Sequence, residues 1–198
     1  MIFGVATTLF VLVICSVLRL FLTRLHDRPF RQVIPYLRPE GAPILREVMD
    51  AALEKSLLLN LSRKQLRQEQ LDRMRLVDEY IGHRTHNAVV WQGWGDTELR
   101  RARKVLNREV EMAADELVVA CAEFRIGASV IQIHLHFWQF KMILLPFTRV
   151  PRVSKLRKAD DFDLLESYEK IKRAALKLAE ACGGNCLEQL QNALHLQN

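Results

Sequence analysis

DTELRRARKVLNREVEMAADELVVACAEFRIGASVIQIHLHFWQFKMILLP, residues 96–146, is the stretch on which the fold turns. Within it Leu99, Ala102, Leu106, Val110, Ala113, Leu117, Ala120, Phe124, Ala128, Ile131, Leu135, Trp138, Met142 and Leu145 follow one another at intervals of three or four. An apolar period near 3.5 is the mark of a helix with a heptad-like, coiled-coil seam. No proline interrupts the run before Pro146, and Gly127 is its single glycine. The pattern predicts one helix of about 49 residues, roughly 74 Å long at 1.5 Å per residue, capped by Asp96, with Gly127 as the place for any bend. Residues 131–137 also alternate apolar with polar, as a strand would, but so short an alternation is outweighed by the longer seam.

A second apolar stripe, Val130, Ile133, Phe137, Phe140, Leu144 and Phe147, joins the seam only in the latter half. That half therefore needs partners on two faces and belongs in the middle of a bundle. Residues 98–116, rich in Arg and Glu, read as a more exposed rod or the bundle's edge.

Downstream, a basic loop leads to Asp160 or Asp161, either of which can cap a helix whose apolar positions are Leu164, Leu165, Tyr168, Ile171, Ala175, Leu178 and Cys182. Gly183 and Gly184 stop it, and a short last helix shows Leu187, Leu190 and Leu194 on one side. Upstream, residues 83–95 hold Asn87, Trp91, Gly93, Trp94 and Gly95 without a clean period, and read as an irregular connection. Before them, Ser62 and Gln65 make a capping box that starts a helix at 63, with Leu61 and Leu66 placed as its hydrophobic staple and Gly82 as its stop. Pro43 opens a first helix reaching to about Asn60. Pro29, Pro35, Pro39, Gly41 and Pro43 make residues 26–43 an extended juxtamembrane tether.

Residues 2–18 carry no charge, and after Arg19 the apolar character persists to Leu22. About 20 apolar residues span a bilayer as a helix, and Arg19 stands near enough to the end to snorkel. A cleaved signal peptide requires a basic leader and a small-residue cleavage site, and neither is visible. Arg24, Arg28, Arg31 and Arg38 follow the span, an excess that places the N-terminus outside and the rest in the cytoplasm. The expected organisation is a transmembrane anchor (1–25), a tether (26–43) and a cytoplasmic helical bundle (44–198). The fold class is all-α, with an elongated bundle of about four helices and a short terminal one.

Several residues invite a chemical reading. His83 and His86, with Glu79 one turn earlier, have a spacing that suits a metal. His134 and His136 lie two apart, so a helix points them about 200° from each other and they cannot share an ion; with Gln132 and Gln139 they read as polar strips. Cys182 and Cys186 bracket a helix stop at a spacing that could close a disulfide or supply half a metal site, although small buried thiols account for Cys121 and Cys182 as well. Arg149, Arg152, Lys155, Arg157 and Lys158, with no acid among them and aromatics before them, suit an anionic lipid surface. Trp91 and Trp94 read as a cap on the bundle end, with an exposed binding anchor as the alternative.

The composition excludes much. With 49% apolar and 26% charged residues, 8 Gly and 6 Pro, the chain is neither collagen-like nor low-complexity. Four scattered cysteines do not form a secreted disulfide framework. A net charge of +6 raises nucleic acid as a partner, but no helix-turn-helix, zinc-finger or RNA-binding signature accompanies it. Phosphate-binding loops, nucleophile elbows and zinc-protease motifs are also missing, which lowers the case for an enzyme. No cofactor is implied. The expectation is a membrane-anchored accessory or scaffold subunit that binds another protein, or a second copy of itself, through Phe124, Ile131, Leu135, Trp138, Met142 and Leu145 of the long helix. Two other classes remain on the same residues: a ligand-sensing bundle with a polar cavity around His134, His136 and Gln139, and a metal-dependent enzyme built on the bundle histidines.

Overall fold

The structure, a computed structural model, describes residues 29–38, 47–145, 150–154, 158–159 and 162–195. The apolar leader, the residues around Pro39 to Pro43, and Arg149, Lys155 and Arg157 of the basic loop lie outside these. The architecture is helical: α1 (Ala51–Asn60), α2 (Arg63–Val105), α3 (Arg108–Leu144), α4 (Leu164–Cys182) and α5 (Cys186–His195). Ahead of α4, Lys158–Ala159 (β1) and Phe162–Asp163 (β2) pair antiparallel for two residues each.

Helix α2 begins at the capping box read from the sequence: the Ser62 hydroxyl oxygen accepts from Gln65 N, and Ser62 N donates to Gln65 Oε1 at 3.1 Å. It does not stop at Gly82. It runs 43 residues, about 64 Å, through the stretch expected to be irregular and through Asp96, which lies inside the helix rather than capping it. The override is tertiary. Trp91 and Trp94 are wholly buried, and burying aromatics of that size outweighs the roughly 1 kcal/mol that each interior glycine costs a helix. Gly95 has a purpose there, because a Cβ on it would meet Val118 Cγ2 of α3 at 2.9 Å.

The single 49-residue helix is likewise not formed. The chain reverses at Leu106, whose φ of 56° is left-handed, and Asn107 N donates to Ala102 O at 3.0 Å, closing the end of α2. Asn107 then caps α3 by accepting from Val110 N at 3.3 Å. The seam continues on both sides of the break because both helices turn it toward the same interior. The result is an antiparallel hairpin, with Arg103 of α2 bonded to Glu111 of α3 at 3.1 Å near the turn and Asp78 accepting from Gln132 at 3.1 Å further along.

Helix α4 packs on α3 and α5 packs back on α4. Phe124 and Tyr168 meet edge to face at 5.5 Å, and Leu164, Ile171 and Leu178 are wholly buried. Its cap is Asp163 rather than Asp160 or Asp161, accepting from Leu165 N and Glu166 N. Gly183 (φ 68°) and Gly184 (φ 62°) end the helix in a backbone region that favours glycine. Leu190 of α5 is buried, with Leu187 and Leu194 packed against the same core.

The N-terminal segment also differs from an extended tether. Residues Phe30–Gln32 and Ile34–Tyr36 wind into two 3₁₀ turns, Val33 is wholly buried and Phe30 packs on Trp94 at 5.2 Å. Proline forbids a long helix here, but not a short one that can be glued down. Helix α1 starts at Ala51, capped by Asp50; residues 47 and 48 are already helical ahead of a break at 49–50, so the expected first helix is interrupted there, and its start at Pro43 lies outside the described residues.

Candidate functional site

Helix α3 lies between α2 and α4 and has two apolar faces. The inner face is the sequence seam. Phe124, Ile131, Leu135 and Met142 are buried against the chain's own helices, Trp138 is half-buried, and only Leu145 is exposed. Four of the six residues expected to bind a partner are therefore spent inside the molecule. On the opposite side, Met112, Val119, Ile126, Phe137, Phe140 and Leu144 are 44–62% exposed. Ile133 continues the row, half-buried. Met112, Val119, Ile126, Ile133 and Phe140 recur every seven residues, and Phe137 and Leu144 stand one turn beyond the last two, so the stripe has its own heptad order. Val130, Ile133, Phe137, Phe140 and Leu144 were legible as a second stripe. The same seven-residue interval extends that stripe back through Ile126 and Val119 to Met112.

Helix α3 is long and apolar enough to cross a membrane by length and composition. Among the described residues it is the one helix that passes this test, and it is also the central core helix of the bundle.

The histidines do not converge. The ring Nε2 of His86 lies 3.0 Å from Tyr36 O, fastening the second 3₁₀ turn to α2. Asn87 next to it does the same work: its Oδ1 accepts from Arg38 N at 2.8 Å, and its Nδ2 donates to Arg38 O and to the Tyr168 hydroxyl. His134 Nδ1 is 3.0 Å from Val130 O on its own helix, and His136 Nε2 is 3.4 Å from Asp78 Oδ2 on α2. Among the described residues no three His, Cys, Asp or Glu side chains gather as a metal would require, so His83, His86 and Glu79 are not assembled into a centre. Of the basic loop, Arg152 is exposed and Lys158 stands in β1.

Of the charged groups buried among the described residues, Glu54 and Arg84 are the most enclosed. Glu54 of α1, 1% exposed, accepts from Val153 N at 2.7 Å, Gln70 Nε2 at 3.0 Å and the Ser154 hydroxyl, with Arg73 Nη1 at 3.9 Å. It joins α1, α2 and the segment after α3 in one junction. Arg84, also 1% exposed, has its guanidinium between the rings of Tyr80 and Tyr168, at 4.8 and 4.1 Å.

Near the α2–α3 turn, a cavity of about 640 Å³ opens between Phe30, Trp94, Glu98, Ala102 and the start of α5. Cys182 and Cys186 line it as free thiols. Burial first, then the Glu98 carboxylate, pushes the Cys182 thiol up to about 12, so it is a protonated wall group rather than a nucleophile at neutral pH. Burial raises Cys121 as well. Glu98 itself is bridged by Arg101 at 3.1 Å to both oxygens.

No family model matches the chain, and no match was found among curated proteins or solved structures.

Proposed function

We propose that this chain is a membrane-anchored, non-enzymatic accessory or scaffold subunit that presents the outer face of α3 to a helical polypeptide partner at the cytoplasmic face of the cell membrane. The observation that carries the reading is the heptad-spaced row of exposed apolar side chains on α3, opposite a core face already filled. A lipid surface asks only for a greasy side, whereas a seven-residue repeat matches the knobs and holes of a second helix. The anchor rests on the uncharged residues 2–18 and the Arg-rich flank that follows them. The test is photo-crosslinking in intact membranes. Benzoylphenylalanine at Phe140 should capture a polypeptide, while the same probe at Gln68, an exposed position on α2, should not; no polypeptide adduct at Phe140 in a folded chain would remove the reading.

A further inference from the structure

The order of the outer face specifies its partner more closely than a greasy stripe would. Met112, Val119, Ile126, Ile133 and Phe140 are symmetric about Ile126: Met112 lies as far before it as Phe140 lies after, and Val119 as far before it as Ile133 after. A two-fold axis through Ile126 would therefore stack each apolar side chain of one helix on an apolar side chain of an antiparallel twin, which is the self-complementarity that an isologous interface demands.

The flanking charges agree. Along one edge of the stripe the chain places Glu109, Glu116 and Glu123 in the first half of α3, and His134 and Lys141 in the second. Antiparallel pairing sets Lys141 beside Glu109 of the second copy and His134 beside Glu116 of the second copy. Glu116 and Glu123 already bind Lys177 and Lys170 of α4, the latter at 2.6 Å, but their carboxylates remain about half exposed and each can accept from further donors. The geometry also suits one membrane, because a two-fold axis standing normal to the bilayer delivers both anchors to the same sheet of lipid.

We infer that the partner of the α3 outer face is a second copy of this chain, packed antiparallel about Ile126; the inference rests on the interaction reading proposed above and deepens it. The experiment uses the full chain in its membrane, with benzoylphenylalanine at Ile126 or at Phe140. The expected adduct has twice the 23.0 kDa of the chain, with Ile126 joined to the peptide around Ile126 and Phe140 to the peptide around Met112. Lys141→Glu should weaken the dimer at least tenfold, and adding Glu109→Lys to the same chain should restore it, since the antiparallel twin exchanges both charges. An adduct of another mass overturns the second copy while leaving the interaction face intact. Phe140 joined to the peptide around Phe140 overturns the antiparallel register. Absence of any polypeptide adduct, with the helical spectrum of the protein unchanged, overturns both this inference and the reading beneath it.

Discussion

At the scale of single residues, Glu54 shows how a charge can be a structural necessity. It gathers donors from α2 and from Val153 and Ser154, segments that local sequence does not bring together. Truncating it leaves Arg73, which donates to the Val48 carbonyl, without its buried counter-ion and the Val153 N–H without its acceptor, and breaking a buried pair from one side costs about 3–5 kcal/mol. Glu54→Ala should therefore lower the unfolding free energy by that amount, read in urea unfolding as a lower midpoint with an unchanged slope. Cys182 makes a second prediction. Its thiol sits at about 12 in the fold against an ordinary 9.0, so the native state holds its proton longer than the unfolded chain. The stabilisation is complete below pH 9 and is lost as pH rises toward 12. Alkylation of Cys182 by iodoacetamide in the folded protein should accordingly be slow at pH 8 and accelerate steeply only above pH 10, while the unfolded chain reacts readily at pH 8.

Among elements, α2 separates two kinds of glycine. Gly82 lies mid-helix with open space around the position a Cβ would take, whereas Gly95 presses on α3. Gly82→Ala should stabilise by about 0.5–1 kcal/mol, the ordinary helix gain. Gly95→Ala should destabilise by about 1–3 kcal/mol, because its methyl group must displace Val118. Thermal melts of the two variants, moving in opposite directions, check this. The pair also explains why the end of α2 was misplaced in the sequence: Gly82 resembles a helix stop, and only the contact between helices shows that Gly95 is there for close approach. The true break did leave a local mark. Arg103 and Lys104 close one helix, and Asn107 with Glu109 and Glu111 opens the next, the charge order that helix dipoles favour. The unbroken apolar seam concealed it.

For the whole molecule, the two faces of α3 predict two different failures. Ile131 is wholly buried and Ile126 is 62% exposed. Ile131→Asp puts a charge into the core and should unfold the bundle. Ile126→Asp should leave stability within about 0.5 kcal/mol and abolish association, as measured by sedimentation of the full chain in mild detergent. An Ile126→Asp protein that still self-associates would contradict the assignment of the face. The elongated hairpin of α2 and α3, with α4 along one side, is what leaves that face open, since a helix flanked on two sides has a third to offer.

Periodicity, caps and glycine stops are local, so the amino-acid sequence alone determined that the described chain is helical, where α2 begins, where α4 ends, and that α3 carries two apolar stripes. Which stripe faces inward, and where one long seam is cut into a hairpin, depended on contacts between residues far apart in the chain. A heptad pattern looks the same whether its partner is the preceding helix or another molecule. Only the tertiary packing, by filling the Phe124–Leu135 side with α2 and α4, left the Ile126–Phe140 side uncovered by the described helices.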